Sequence, residues 1–264
     1  MTIRLPVRQY IGVPSGEPRG LVTATWELPV AETAFIELHC WNVGVPGGLS
    51  VPDDYWVFMG SKQNHERAAR IMSDTIAPCL DAARHVGLAT VHVQPESIAL
   101  RHVELLPRPG RAPVPSRPPI DEECGALAES HVTLRAEAVH GKGYTAWEGW
   151  QRLDVAPTVK PQPSDAMVVT TEEFDEWLQA RGIATLIYTG FAANLCILDS
   201  PCAMKAMNSL GYRCILLREG TMAIEFPDQP PGMHTDVALR YVESWAGYTA
   251  SADDFIRACG EVGR

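Results

Sequence analysis

Helix and strand signals alternate most clearly over residues 170–218, which read TTEEFDEWLQARGIATLIYTGFAANLCILDSPCAMKAMNSLGYRCILLR. The run Thr170–Glu173 is a capping-box sequence that opens a helix to about Arg181, and Gly182 is its predicted stop. A strand, a helix and a second strand are predicted next, at Ala184–Thr189, Leu195–Leu210 and Arg213–Arg218. Strands separated by helices of this length predict βαβ units and therefore a mainly parallel sheet.

The same alternation continues on both sides of this segment. Further strands are predicted at Thr33–Leu38 and Leu88–Gln94, and further helices at His65–Val86, at Thr235–Trp245 and from Ser251 to Cys259. Pro78 predicts a kink in the first of these helices, because proline donates no backbone hydrogen bond. The expected fold is a single α/β domain over residues 1–264, arranged in three α/β/α layers, with an irregular proline-rich insertion around residues 95–150.

The centre of this insertion, Leu106–Pro119, contains six prolines, three arginines and one glycine. Such a composition excludes a regular helix or a central strand. One interpretation is a solvated loop. The other is a lid or a subunit-contact loop, because long loops in compact domains are often functional.

The overall composition is that of an acidic globular protein. The 264 residues are 46% hydrophobic, which is too apolar for a disordered chain. The 22 lysines and arginines face 32 aspartates and glutamates, for a formal charge of −10. Nucleic acid is therefore not expected as a partner, because phosphate-backbone binding requires a basic surface.

Residues 1–8 resemble no signal peptide, and no apolar run reaches the length of a membrane span. We expect a cytoplasmic protein with no membrane partner, in which most of the seven cysteines are free thiols. None of them lies in a C-x-x-C pair, so a structural zinc site is not expected.

One cysteine stands at a position that favours a reactive thiol. In the stretch 186–196, LIYTGFAANLC, a buried strand ends at Gly190, and Cys196 is placed where the next helix begins. The carboxyl ends of parallel strands form the ligand crevice of such sheets. The dipole and free N–H groups of a helix start lower a thiol pKa, and the same N–H groups can hold an oxyanion. Cysteine in this setting is either a nucleophile or a small buried apolar residue.

Two charged residues lie in apolar segments. Glu37 falls in the strand TAFIEL, and an acidic side chain is rarely buried without a partner. Lys160 follows VAPTV and could supply the opposite charge and stabilise a thiolate. In the alternative interpretation, Lys160 is an ordinary loop lysine and Glu37 pairs with an arginine.

The sequence resembles the isochorismatase-like cysteine hydrolases, most strongly from Leu153 to Trp245. The resemblance rests on the lysine segment, on LQARGIATLIYTG, on GFAANLC and on AMNSLGYRCILLREG. His234 in GMHTDVAL also fits, whereas AFIELHCWN resembles the opening strand of the family less closely.

This resemblance implies a six-stranded parallel sheet between helices and a homo-oligomer. It also implies a catalytic trio of Cys196, Lys160 and an acid, which falls on Glu37. The implied oxyanion hole consists of the N–H groups of Ala192 and Cys196, after a cis peptide bond between Phe191 and Ala192.

Several residues depart from the pattern of this family. The acid is an aspartate in the family, with a glutamine two residues later, whereas here the pair is Glu37 and His39. His39 is then either a second acid–base group or a hydrogen-bonded structural histidine. Pro201 should bend or loosen the first turns of the helix after Cys196. The segment 93–97 lacks the metal ligands of the nicotinamidase branch, so neither a metal nor a cofactor is expected.

The resulting hypothesis is hydrolysis of a C–N bond in a small amide, carbamoyl or ureido compound through a covalent acyl-enzyme. Glu37 would take the thiol proton, and Lys160 would stabilise the thiolate. The candidate substrate-binding residues are His39, Trp41, Asn42, Phe191, Trp147 and Trp150. Four of them, Trp41, Asn42, Trp147 and Trp150, are equally interpreted as ordinary core or interface residues. The alternatives are a small-molecule binding protein on the same scaffold, and redox sensing through Cys196 and Cys202. The substrate itself does not follow from the sequence.

Overall fold

The computed structural model describes residues 1–12, 20–107 and 122–262. One sheet of eight strands runs through it in the order β2-β1-β8-β7-β6-β3-β4-β5. The strands are β1 (Thr2–Ile11), β2 (Gly20–Pro29), β3 (Thr33–Leu38), β4 (Ala89–Val93), β5 (Ala166–Val168), β6 (Thr185–Phe191), β7 (Arg213–Met222) and β8 (Tyr248–Ala250).

The six strands from β8 to β5 are all parallel, so the predicted parallel sheet is confirmed. Two further strands, β1 and β2, extend it as an antiparallel hairpin beside β8. The sequence carried a signal for this hairpin, because the apolar residues Ile3, Leu5 and Val7 occupy alternate positions and are buried. The sheet therefore has eight strands, two more than the six that were predicted.

Helices cover both faces of the sheet. They are α1 (Lys62–Ile71), α2 (Ala77–Val86), α3 (Glu96–Ala99), α4 (Glu122–His140), α5 (Thr171–Gln179), α6 (Cys196–Asp199), α7 (Met204–Ser209), α8 (Met233–Tyr241) and α9 (Ala252–Gly260). A π-helical turn, Met72–Ile76, joins α1 to α2 just before Pro78. The expected kink is thus a local change of hydrogen-bond register, which accommodates the missing N–H of the proline.

The core lies in two layers because successive residues of a strand point to opposite faces. On one face, Phe35 and Ile187 pack with residues of α1, α2 and α9. On the other face, Ile36 and Tyr188 pack with residues of α5 and α7. The three-layer α/β/α arrangement is confirmed.

The predicted helix over Leu195–Leu210 is wrong as a continuous element. It is divided into α6 and α7, and Pro201 and Cys202 lie between them. Proline removes a helical hydrogen bond, and Cys202 adopts a left-handed φ of 62°. Cys196 therefore begins a helix of only four residues.

The insertion around residues 95–150 is not irregular throughout. Residues Glu122–His140 form the 19-residue helix α4. Four alanines and the absence of proline over residues 122–140 are the sequence signal for it. Most of the predicted loop Leu106–Pro119 lies outside the described residues. No helix in the described ranges is long and apolar enough to cross a bilayer.

Candidate active site

The candidate site lies where the order of the parallel strands reverses. From β3 the chain continues outward on one side to β4 and β5, and it then returns to the other side of β3 as β6. Ligands of open α/β sheets bind at the carboxyl ends of the strands at such a switch point. Here those ends belong to β3, which leads into His39, and to β6, which leads into Cys196.

Backbone packing at this point is unusually close. Leu38 pairs with Gly190, and a Cβ atom on Gly190 would lie 1.9 Å from the carbonyl oxygen of Leu38. Gly190 also has a φ of 115°, a conformation that residues with side chains rarely adopt. Glycine is therefore required for β6 to end against β3.

The turn after Gly190 is held to the segment after β7. The peptide bond between Phe191 and Ala192 is cis, as the resemblance implies. The Asn194 side chain accepts a hydrogen bond from the Ile224 amide at 3.0 Å, and the Ala193 amide donates to the carbonyl of Met222 at 2.9 Å. These bonds fix the backbone that carries Cys196.

Two backbone amides converge on the Cys196 thiol, which is half-buried. Burial raises the pKa of this thiol, and hydrogen bonds from the N–H groups of Ala192 and Cys196 oppose that rise without cancelling it. The expected net lowering of the thiol pKa is therefore wrong, because desolvation outweighs the amides. Since the thiol is mainly protonated at neutral pH, it requires a base before it can act as a nucleophile.

Glu37 is fully buried, and both of its carboxylate oxygens are occupied. The Cys40 amide donates to Oε1 at 2.7 Å. His92 Nδ1 and Gln94 Nε2 lie 2.6 and 3.1 Å from Oε2. Glu37 thus holds the turn after β3 and pairs with His92 on β4. The alternative interpretation predicted such a pair for Glu37, but with an arginine as the partner.

This pair continues into a buried chain of alternating charges. His92 Nε2 lies 3.3 Å from Asp165, and Arg84 Nη2 lies 2.5 Å from the same carboxylate. Burial alone lowers the pKa of His92, but its hydrogen bonds to Asp165 and Glu37 outweigh this effect and raise the pKa above the ordinary value. With His92 protonated, the two cations, His92 and Arg84, balance the two carboxylates, Glu37 and Asp165. The net charge of these four groups is then zero, which lowers the cost of burying them. His92 was missed in the sequence, although a histidine in the apolar strand LATVHVQ is itself a signal of buried polar pairing.

The ionisation of Asp165 is expected to make the free energy of unfolding depend on pH. Burial acts to raise its pKa, but hydrogen bonds from His92, Arg84 and the Gln162 amide lower it from 3.8 to about 2. Because the pKa of Asp165 is lower in the folded than in the unfolded protein, its ionised carboxylate stabilises the fold at pH values above the unfolded pKa. This stabilisation is lost as the pH falls toward 2. We expect the Asp165→Asn variant to be less stable by about 2 kcal/mol at pH 6, as measured by urea unfolding, with the difference shrinking below pH 4.

The matched control for that prediction is Asp81→Asn. Asp81 lies 3.8 Å from the same Arg84, but its side chain is 76% exposed. Exposed pairs contribute little, so this variant should unfold like the wild type. A difference between Asp165→Asn and the wild type that does not change with pH would contradict the assignment of the carboxylate charge.

Lys160 is exposed. Its carbonyl oxygen accepts a hydrogen bond from Arg84 Nη2 at 3.2 Å. Within the described part of the chain, no hydrogen bond or ion pair joins its ammonium group to Glu37 or Cys196. The catalytic trio of Cys196, Lys160 and Glu37 stays a prediction.

His39 follows the last residue of β3 and is 9% exposed. Its amide donates to the Val93 carbonyl at 3.2 Å, and its φ is 54°. The ring lies 5.1 Å from the Trp41 ring, measured between centroids. Its Nδ1 is buried without a hydrogen-bond partner, so the interpretation of His39 as a hydrogen-bonded structural histidine does not fit.

Aromatic rings connect the ends of the two strands. Phe58 contacts Trp41 at 5.2 Å and the fully buried Phe191 at 5.9 Å. Trp41 also donates from Nε1 to Gln94 at 3.1 Å. His39, Trp41 and Phe191 are thus brought together as predicted candidates, and Phe58 joins them.

The other predicted candidates have structural contacts. The Asn42 side chain bridges the Arg152 carbonyl and the Asp154 amide, at 3.2 and 3.0 Å. Trp147 and Trp150 pack edge to face, 5.1 Å apart. Among the described residues, no ring contact connects this tryptophan pair to Phe58. Their role in substrate binding stays a prediction.

A groove of about 590 Å³ opens beside Leu195, the residue before Cys196. Its apolar wall includes Trp56, Ile224 and Phe226, and α4 contributes Arg135 at one side. Sequence reasoning missed this groove because it assigned no helix to residues 122–140. Over the residues that the structure describes, no group of three or more histidine, cysteine or acidic side chains is arranged to hold a metal.

The fold is a three-layer α/β/α sheet with Cys196 near its switch point, where open α/β sheets bind ligands. The sequence profile of the isochorismatase domain matches residues 54–235, which is more than half of the chain. The chain belongs to the isochorismatase family. The matched range includes Lys160 and Cys196 but begins after β3, and therefore leaves out Glu37 and His39.

Known relatives are similar over part of their length. The chain is 29% identical over 134 residues to the ureidoacrylate amidohydrolase RutB of Variovorax paradoxus, covering 48% of this chain and 49% of that protein. It is 28% identical over 123 residues to RutB of Pseudomonas savastanoi, covering 44% and 46%. The chain thus spans about half the length of the curated relatives it matches.

A solved structure shares the whole fold. A cysteine hydrolase from Pseudomonas syringae superposes with a TM-score of 0.52, at 16% identity, and covers 89% of this chain and 95% of that chain. At this identity, the likeness supports the fold alone.

Proposed function

We propose that this chain is a cysteine hydrolase that cleaves a C–N bond in a small amide, carbamoyl or ureido compound. The observation that carries the proposal is the convergence of the Ala192 and Cys196 amides on the Cys196 sulfur at the switch point. An oxyanion hole consists of such a pair of N–H groups aimed at one place, and acyl transfer requires it next to the nucleophile.

The reaction proceeds in two steps. The Cys196 sulfur attacks the substrate carbonyl carbon as its proton passes to a base, and the carbonyl oxygen gains charge between the two amides. The C–N bond then breaks as the nitrogen takes a proton, which leaves an acyl-enzyme. Water attacks the thioester, the acid is released, and the sulfur recovers its proton.

The relatives support the choice of bond. Two matched proteins are named as ureidoacrylate amidohydrolases, which supports ureido compounds as members of the proposed substrate class. The groove beside Leu195 supports an apolar portion in the substrate, because Trp56, Ile224 and Phe226 form its wall.

The proposal is tested by intact-protein mass spectrometry with a panel of small amides, ureas and carbamoyl compounds. We expect at least one compound to add an acyl group to the protein, with peptide mapping locating it on Cys196. The competing binding protein predicts no adduct with any compound of the panel.

We further propose that the protein acts in the cytoplasm as a homo-oligomer, without nucleic acid or membrane partners. Every cysteine whose side chain the structure describes is a free thiol, which supports a reducing compartment. Val237, Tyr241 and the 77% exposed Trp245 recur every four residues, which supports a contact surface for another copy. Light scattering of the purified protein measures its oligomeric state.

A further inference from the structure

The two edges of the sheet differ in length and in exposure. At one edge, β5 has three residues, all of them buried. At the other edge, β2 has ten residues, which pair with β1 one for one and without a bulge. Natural sheets protect an edge by making it short, bulged or charged, and Glu27 is the one charged residue of β2. We propose that β2 pairs with β2 of a second copy of this chain, so that one continuous sheet runs through two subunits.

This interface is independent of the proposed hydrolase activity. It also lies on a different surface from the row of Val237, Tyr241 and Trp245, which belongs to α8 and to the turn directly after it. The inference therefore adds a contact between copies that the row on α8 does not provide.

The hydrogen bonds of the hairpin show which backbone groups of β2 face outward. Residues of an antiparallel strand alternate between bonding to the opposite residue and directing their N–H and C=O groups away from it. Val30 donates to the carbonyl of Met1 at 3.0 Å, and the register places these two residues opposite each other. Counting back from this pair in steps of two, the residues that direct their backbone groups away from β1 are Leu21, Thr23, Thr25 and Glu27.

Pro6 on β1 agrees with this alternation. It lies opposite Thr25, at a pair that exchanges no hydrogen bonds, and its missing N–H therefore costs the hairpin nothing. In the described part of the chain, no strand other than β1 pairs with β2. The four outward residues are all exposed. A row of free N–H and C=O groups of this kind is a template for the addition of another strand.

A two-fold axis through Ala24 uses this whole row. Antiparallel strands related by such an axis place Thr23 of one copy opposite Thr25 of the other, and Leu21 opposite Glu27. Each of the four residues then exchanges both of its backbone hydrogen bonds with a residue of the second copy. An axis through Thr23 or Thr25 would not place all four against one another, so the axis through Ala24 is the favoured register.

The side chains are complementary in the same register. On one face threonine meets threonine, and on the other face Val22 meets Trp26 of the second copy, which is a pair of a β-branched and an aromatic residue. The small side chain of Ala24 lies at the axis, where opposite residues approach most closely. The two Glu27 side chains lie at opposite ends of the pairing, about 20 Å apart, so their charges do not repel. This self-complementarity identifies a second copy as the partner.

The first test is a disulfide across the proposed axis. In the Ala24→Cys variant the two new thiols would face each other at a pair without hydrogen bonds, where Cα atoms lie about 4.5 Å apart. This distance suits a disulfide. Oxidised glutathione accepts the two electrons and two protons that the thiols release. On non-reducing electrophoresis we expect at least about 10-fold more covalent dimer than in the control variant, and dithiothreitol should reverse it.

Glu27→Cys is the matched control. Residue 27 is also exposed on β2, but its two copies would lie about 20 Å apart, which is farther than a disulfide spans. The wild type controls for the native half-buried thiol of Cys196. Equal cross-linking of Ala24→Cys and Glu27→Cys would indicate random collisions and would overturn the inference.

The second test removes one outward N–H group. Thr25→Pro deletes a donor of the outer edge and leaves the hydrogen bonds between β2 and β1 in place, so the subunit should still fold. Thr25→Val keeps the N–H group and is the control. In sedimentation velocity over a concentration series, we expect the dissociation constant of the dimer to rise at least about 10-fold in Thr25→Pro and to stay unchanged in Thr25→Val. Circular dichroism compares the folds of the two variants.

The outcomes separate this interface from the row on α8. Adding Trp245→Ser to the Ala24→Cys variant should leave the disulfide unchanged, and its loss would assign the contact to α8 and overturn the inference. A wild type that stays monomeric at every concentration would overturn it as well, as would a Thr25→Pro variant that associates like the wild type. None of these readouts depends on an acyl adduct at Cys196, so the hydrolase proposal stands or fails separately.

Discussion

The Cys196→Ala variant is expected to lose turnover and acyl-adduct formation together, by more than about 1000-fold. Alanine removes the only atom that forms the covalent bond, whereas the Ala192 and Cys196 amides stay in place. The fold should be retained, because Cys196 is half-buried at the start of a short helix and alanine favours helix formation. Steady-state hydrolysis of the best compound in the panel, together with mass spectrometry, measures both effects.

Cys202→Ala is the matched control for this prediction. Cys202 lies six residues further along the chain, is fully buried, and forms hydrogen bonds through its backbone, to Tyr188 from its carbonyl and to Thr171 from its amide. Its loss should leave turnover largely intact. A large loss in Cys202→Ala, with retained turnover in Cys196→Ala, would contradict the assignment of the nucleophile.

The Gly190→Ala variant is expected to have the largest effect on stability. The added Cβ would lie 1.9 Å from the Leu38 carbonyl oxygen, and this atom belongs to the backbone of the neighbouring central strand. Gly190 also has a φ of 115°, and an alanine held at this φ would be strained even without the clash. We expect a loss of at least about 4 kcal/mol in the free energy of unfolding, or failure to fold, as measured by urea unfolding.

Gly182→Ala separates the two causes of that loss. Gly182 also has a left-handed φ, of 66°, but a Cβ atom added to it would have nothing within 4 Å. Its replacement should cost only about 1 kcal/mol, which is the conformational effect without the clash. Equal losses in the two variants would show that β3 and β6 can separate and that the close approach at Gly190 has no structural importance.

Most of the parallel sheet could be predicted because its strands are short apolar runs between clear helix signals. Thr33–Leu38 is one such run, and it matches β3 residue for residue. The two shortest strands, β5 and β8, have three residues each, which is too short for a periodic pattern. The helix α4 was missed for another reason, since the prolines next to it made the whole insertion look irregular.

The site was predicted as a set of residue types but not as a set of contacts. Cys196 could be identified because a glycine turn placed it after a strand. The partners of Glu37 could not, because His92 and Asp165 are distant in sequence and meet only when β4 and β5 align beside β3. His39 was marked as a candidate with an open role, because the sequence does not show which polar atoms remain unpaired.

The break at Pro201 changes what controls the reactivity of Cys196. In a long helix, the aligned peptide groups add to the positive potential at the first turn, where Cys196 would lie. A helix of four residues makes this contribution local, so that the pKa of the thiol depends on its burial and, in the opposite direction, on the two amides of Ala192 and Cys196. The peptide groups of α7, which lies beyond the break, are thereby not part of the helix that Cys196 begins.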